Sequence, residues 1–270
     1  MGFADLHTHS MYSPDATTTV RAVLKQASDV GLDVIAITDH DAINGALEAR
    51  ELASQFNVEV VTGVEVTTRD GHLLALYVEE LPPAEMSLDD TLLWIGHHGG
   101  IAIAPHAFNQ LPNSLSLESV IGVFNRPRAK GFLKGIEVYN MATRAFNETA
   151  EKLSVYRPLN FSKKKKKLSV YLPLAKTASS DAHVYWAIGV GRTQFNGSSA
   201  DDLRAALESA STIPIPFEGQ MPAPPLLSWV RRIFLRRFGY ASDSLSASSP
   251  VNTQRFDREA LLKAVKKMKK

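Results

Sequence analysis

At 270 residues and 44% hydrophobic, the chain can bury a full core, and one large domain is the first expectation. It contains no cysteine, which excludes a disulfide framework and any thiolate metal site, so a bound metal must be held by nitrogen and oxygen. The net charge of +2 is unevenly spread, with most of the excess C-terminal, between Arg231 and Lys270.

The opening Met1-Gly-Phe-Ala-Asp5 lacks the basic and apolar regions of a signal peptide. Nothing approaches the run of about 18–20 apolar residues that spans a bilayer, so a soluble cytoplasmic protein without a membrane span is expected.

Phe3 to His9 reads as a first strand. Thr17 to Val30 has helical spacing in Val20, Val23, Leu24 and Ala27, and stops at Gly31. Leu32 to Thr38 is an apolar, β-branched run suited to a buried parallel strand. Ile43 to Phe56 predicts a second helix, and Val58 to Thr67 and His72 to Val78 predict strands. Ser87-Leu-Asp-Asp90 has a helix-capping pattern, and Gly99-Gly100 ends that helix. Ile101 to Ala104 is a short buried strand, Leu115 to Phe124 is helical, Gly135 to Tyr139 is strand-like and Thr143 to Leu153 is helical. Leu172 to Ala178 predicts a strand leading into Ser179-Ser-Asp-Ala-His183, and Ser199 to Ser209 a last helix. The repeated strand-then-helix order predicts a parallel sheet closed into a barrel.

Two segments stand apart. Lys163 to Lys167 are five consecutive lysines, which repel one another and belong in a solvated loop; attraction of a polyanionic substrate is the alternative. Residues 216–270 read as a basic extension, partly helical or disordered, separate from a domain over 1–215. Within it, Leu226 to Phe238 has the pattern of an amphipathic basic helix, which would pack on the barrel or meet an anionic surface.

The chemistry lies in the histidines. Of the eight present, six accompany carboxylates near the ends of expected strands. Asp5-Leu-His7-Thr-His9 places two imidazoles on one face if the segment is a strand, and two imidazoles can grip one ion. Asp15 follows in a short loop, then Thr38-Asp39-His40-Asp41 after the second strand. Glu65 ends the apolar run Val60–Val64, His72 opens the next strand, and His106 follows Ile101-Ala-Ile-Ala-Pro105. Asp181 and His183 complete the set. A single His-x-His is common by chance. Several such groups, each delivered to one barrel rim, point to a metal site, and neutral imidazole with carboxylate suits zinc, manganese or iron.

These motifs, in this order, resemble the PHP (polymerase and histidinol phosphatase) superfamily, and in particular its small stand-alone phosphoesterases, over roughly residues 3–210. The resemblance implies a distorted seven-stranded α/β barrel holding two or three divalent metals. Carried over, His7, His9, Glu65 and Asp181 would hold the first. Glu65, His72 and His106 would hold the second, and Asp15, His40 and His183 the third. Two departures leave every ligand in place: Ala107 follows His106 where the family often has proline, and Ser179 stands where it usually has glycine.

The implied reaction is hydrolysis of a small phosphate monoester, such as a nucleotide or phosphorylated metabolite, by a hydroxide bridging two metals. Asp39 is a candidate proton donor to the leaving oxygen. Arg192, in Gly189-Val-Gly-Arg192, is a candidate phosphate clamp, or else an arginine after a tight turn. Glu137 and Asn140 end a strand and are placed to line the pocket or hydrogen-bond a ligand. His97 and His98 read as helix-end residues. A nuclease acting on nucleic-acid ends ranks second, because no interleaved aromatic platform accompanies the basic segments. A non-catalytic metal-binding protein is the remaining alternative.

Overall fold

Helix α1 (Val20–Asp29) buries Val20, Val23, Leu24 and Ala27, which recur at helical spacing on one face, and the Thr19 hydroxyl caps it by accepting from the Ala22 N–H. The helices that follow are α2 (Asn44–Leu52), α3 (Leu88–His97), α4 (Leu117–Asn125), α5 (Glu148–Ser154) and α6 (Ala200–Glu208). Serine caps α3, α4 and α6 in the same way, through Ser87, Ser116 and Ser199. This computed structural model describes residues 1–109, 113–126, 128–129, 131–141, 145–154 and 173–217. The lysine run, the Leu226–Phe238 segment and the rest of the basic extension from residue 218 onward lie outside the described residues.

The strands are β1 (Gly2–Asp5), β2 (Val34–Ile37), β3 (Glu59–Thr68), β4 (Gly71–Leu76) and β5 (Ile101–Ala104), then β6 (Leu133–Asn140), β7 (Ala145–Phe146), β8 (Ala175–Ser179), β9 (Arg192–Phe195) and β10 (Ile213–Ile215). They form one sheet in the order β10-β9-β1-β2-β3-β4-β5-β6-β7, with β8 also paired to β6. The ring nearly closes between β8 and β9. There the Thr193 hydroxyl donates to the Ala178 carbonyl at 3.0 Å and accepts the Ala178 N–H at 3.1 Å.

The α/β barrel is therefore present, but it is neither wholly parallel nor seven-stranded. The pairs β1–β2, β2–β3, β5–β6 and β6–β8 are parallel, whereas β4 is antiparallel to both neighbours and β9 is antiparallel to β1. The reason is local. Thr68 pairs with Gly71 across a two-residue turn, too short for the crossover that a parallel pair needs. Other departures are smaller. The first strand ends at Asp5, so His7 and His9 lie just past it. Part of the segment expected as a helix from Thr143 holds the two-residue β7 instead, and α5 begins only at Glu148. Strands β9 and β10 carry too little apolar pattern to be foreseen.

Inside the ring, Ala4, Val34, Ala36, Val61, Leu74, Leu76, Ile103 and Ala175 pack in one cluster with Phe195 and with Leu203 and Leu207 of α6. Helix α6 touches β3, β6, β8 and β9, strands from different sides of the ring, so it plugs one end of the barrel. Burial of each such leucine contributes about 1.5–3 kcal/mol. Helices α1 and α2 cover β1 and β2 from outside, and α3, α4 and α5 cover the β4–β6 side. The free end is the mouth where β1, β2, β3, β5, β6 and β8 terminate. An antiparallel strand begins where its parallel neighbours end, so β4 brings His72 to this same mouth from its start rather than its finish. Among the described residues, no helix is long and apolar enough to cross a membrane.

Candidate metal centre

Glu65, 1% exposed near the middle of β3, organises the mouth. Its Oε2 lies 3.1 Å from His7 Nε2, 3.3 Å from His9 Nε2 and 3.2 Å from His40 Nδ1. Its Oε1 lies 2.8 Å from His72 Nδ1 and 3.0 Å from His106 Nε2. One carboxylate thus faces two groups of imidazoles, one per oxygen. Asp181 Oδ1 completes the first group at 3.4 Å from His7 Nε2 and 3.2 Å from His9 Nε2. Asp15 Oδ2 gathers a third, 3.4 Å from His40 Nε2 and 3.2 Å from His183 Nε2. All the residues anticipated as metal ligands are therefore brought together: His7, His9, Asp15, His40, Glu65, His72, His106, Asp181 and His183.

The donor set fits a cation. In a tetrahedral site with bonds of about 2.0–2.1 Å, ligand atoms stand about 3.3–3.4 Å apart. The contacts of His7 and His9 with Glu65 and Asp181, at 3.1–3.4 Å, match that edge. His9 Nε2 is buried and makes no hydrogen bond, although two carboxylate oxygens stand beside it. A lone pair aimed between two anions suits a Lewis acid. Subsets of these ligand atoms, including His7 with His9 and Glu65, and His9 with Asp15, His40 and His183, lie within 4.8 Å of one another.

The ring nitrogens pointing away from the cluster are engaged. His7 Nδ1 meets Glu137 Oε1 at 3.1 Å, His9 Nδ1 meets the Ser13 hydroxyl at 2.9 Å, and His106 Nδ1 meets the Ser114 hydroxyl at 3.2 Å. His183 Nδ1 donates to the Asp181 carbonyl at 3.0 Å. Such partners fix ring orientation and leave Nε2 as the ligating atom. The loops are held as firmly. The His72 N–H donates to the Asn113 carbonyl at 2.7 Å, next to Ser114. Gly71 permits this approach, since its φ is +136° and a Cβ there would stand 2.8 Å from the Leu115 nitrogen. His106 and Asp181 both adopt positive φ, at 28° and 50°, a conformation that costs energy outside glycine and concentrates at functional sites.

The electrostatics point the same way. Burial pushes His9 down to about 4, so its imidazole is neutral. Burial alone would lower His7, but Asp181, Glu65 and Glu137 raise it well above the usual histidine range. Burial likewise opposes His183, which Asp15 and Asp181 lift to about 9. Burial would raise Glu65, yet His7, His106 and His72 hold it well below the carboxylate range. The acids draw positive charge into the cluster, and a divalent cation competes with protons for that role. Exposure is graded: His7, His9 and Glu65 are sealed, whereas Asp15, His40 and His183 reach solvent.

Two expected roles do not match the geometry. Asp39 is buried with Oδ1 accepting the Ser10 N–H at 2.6 Å and Oδ2 accepting the Ser10 hydroxyl at 2.7 Å, so it braces the loop after His9 rather than offering a free proton to a leaving group. Arg192 is 5% exposed and donates to the carbonyls of Gly189 and Val30, tying the turn before β9 to the end of α1, which is not the posture of a phosphate clamp. His97 and His98 do sit at the end of α3, where His98 stacks on Trp94 at 3.8 Å. Sequence reading missed Ser13 and Ser114. A lone serine in a loop carries no signal until its histidine partner is located.

The family profile of the PHP domain matches residues 5–157, and that of a PHP-associated region matches residues 164–212. An uncharacterized protein of Methanocaldococcus jannaschii is 36% identical over 147 residues, spanning 51% of this chain and 81% of that protein. The phosphoribosyl 1,2-cyclic phosphate 1,2-diphosphodiesterase of Eggerthella lenta is 42% identical over 90 residues, 31% of this chain and only 34% of that enzyme. Among solved structures, a two-domain protein of Bacteroides vulgatus, described as containing a predicted PHP-like metal-dependent phosphoesterase, superposes with a TM-score of 0.63 at 19% identity, covering 87% of this chain and 69% of that one.

Proposed function

Because this chain belongs to the PHP domain family, we propose that it is a metal-dependent phosphoesterase whose substrate is a small phosphate monoester. The observation that carries this reading is the split carboxylate of Glu65, which serves His7, His9 and His40 with one oxygen and His72 and His106 with the other. One carboxylate shared in this way suits two neighbouring cations.

The proposed ligand sets are His7, His9, Glu65 and Asp181; Glu65, His72 and His106; and Asp15, His40 and His183. Divalent cations held there supply the Lewis acidity that makes water nucleophilic near neutral pH and offsets charge on phosphoryl oxygens. The chain contributes the rest. His7 and His9 exclude solvent from the floor of the site, which strengthens every charge interaction above them. Asp15, His40 and His183 form the solvent-facing edge, where a phosphate group enters. Ser13 binds both the His9 ring and the His40 N–H, each at 2.9 Å, and so keeps the sealed and open parts in register.

The test is a preparation loaded separately with zinc, manganese or iron(II), assayed on an aryl phosphate monoester, an aryl phosphodiester, mononucleotides and short oligonucleotides. Turnover of monoesters and mononucleotides is the expected result. Preference for oligonucleotides with steep salt dependence would move the assignment to a nuclease. Tight metal binding without turnover of any ester would leave a metal-binding protein.

A further inference from the structure

Strand β6 supplies none of the proposed ligands, yet its two buried polar residues at the mouth touch three of them. Glu137 Oε1 lies 3.1 Å from His7 Nδ1. Glu137 Oε2 accepts the backbone N–H of His106 at 2.8 Å and the Asn140 amide at 2.9 Å. The Asn140 amide nitrogen also donates to Asp181 Oδ2 at 3.2 Å. Glu137 is 1% exposed and Asn140 is 2% exposed. Resting on the phosphoesterase reading above, we propose that Glu137 and Asn140 form a positioning pair that sets the affinity of the two sealed cation sites and leaves the outer one untouched.

The argument follows from donor and acceptor chemistry. A carboxylate only accepts, so the Glu137 contact holds a proton on His7 Nδ1 and leaves Nε2, which faces Glu65 and Asp181, as the nitrogen that can ligate. The second Glu137 oxygen holds the His106 backbone, whose φ of 28° is one that a non-glycine residue keeps only when its surroundings enforce it. Asn140 occupies Asp181 Oδ2 and leaves Oδ1 turned to His7 and His9. Three ligands from distant parts of the chain are thereby referenced to one rigid strand. The outer site rests on other contacts: Asp15 meets the His40 and His183 rings, and those rings also meet Glu65 and Asp181.

Glu137→Gln preserves shape but mismatches the bonds. With its oxygen toward His7, its NH2 confronts the His106 N–H and the Asn140 amide. In the opposite orientation its NH2 donates to His7 Nδ1 and moves the imidazole proton onto Nε2. Full-length protein stripped of metal is titrated with zinc against a chromophoric chelator, and its metal-free melting temperature is recorded in parallel. Glu137→Gln is expected to weaken the tighter classes of zinc site about 10–100-fold, the usual effect of losing an outer partner of a ligating histidine. Asp15→Ala should weaken only the outermost class. Wild-type zinc affinity in Glu137→Gln overturns the positioning role while leaving the phosphoesterase reading intact. Failure of the unmutated protein to bind zinc, manganese or iron(II) overturns both. If Glu137→Gln does not fold, Asn140→Ala decides: a loss of about tenfold at the tight sites supports the pair, and unchanged affinity refutes it.

Discussion

The Nε2 atom of His9, just past the first strand, stands 3.2 Å from Oδ1 of Asp181, just past the eighth, and 3.3 Å from Oε2 of Glu65. Two side chains so placed in a sealed pocket are poised for a shared cation. The first prediction is therefore about metal. Chelation should lower the melting temperature of the wild-type protein, and restoring zinc should raise it, since a ligand present at 100 times its Kd stabilises by about 2.7 kcal/mol. Acidification should release the metal, because each imidazole must give up its proton to bind. Calorimetry of the stripped and loaded forms measures both effects; identical melting curves would speak against the centre.

Glu65 bridges the two groups of imidazoles, so its removal should disable both. Glu65→Gln keeps the volume and removes the charge. Turnover of an aryl phosphate is expected to fall by at least about 100-fold, the upper range for losing even an outer partner. Circular dichroism should show the barrel retained. A variant that keeps its activity contradicts the bridging role.

Gly45 lies in the first turn of α2, against the Asp39–Ser10 brace. A Cβ there would stand 2.1 Å from Asp39 Oδ2 and 2.6 Å from the Ser10 hydroxyl. Gly45→Ala must push the two apart and disturb the loops that carry His9 and His40. Overpacking of this kind costs about 1–3 kcal/mol, which a shift in the urea midpoint will register. Catalysis and outer-site metal affinity should fall with it, since Ser13 ties His9 to His40 in the same loop.

The barrel seam offers a test far from the chemistry. Thr193→Val removes the hydroxyl that joins β9 to both backbone groups of Ala178. The substitution is nearly isosteric, so the cost is that of buried polar groups left unpaired, about 1–3 kcal/mol. Melting temperature should drop with metal affinity unchanged. An undiminished melting temperature would mean that the seam holds without this link.

Much of this was legible in the chain itself. The apolar runs at Ile101–Ala104 and Val34–Ile37 and the capped helices at Ser87 and Ser199 follow local rules of period and capping, and they stand where the pattern put them. The residues that gather at the mouth were also legible, because imidazoles and acids near strand ends are scarce enough to be noticed together. Asp39 and Arg192 show the limit. Their residue types suited an acid and a clamp, but whether Asp39 or Arg192 faces a substrate or a backbone carbonyl depends on partners distant in sequence.

What the sequence determined by itself was an inventory: an α/β chain, no thiolate ligands, and enough histidine and carboxylate for several cations. Tertiary structure alone decided how that inventory is shared out. The Arg69–Asp70 turn reverses β4 and delivers His72 from its opposite end, the Thr193 seam brings β9 beside β8, and Glu137 reaches across from β6 to His7. Local preference acts over a few residues, whereas coordination is settled in ångströms between atoms that meet only when the ring closes.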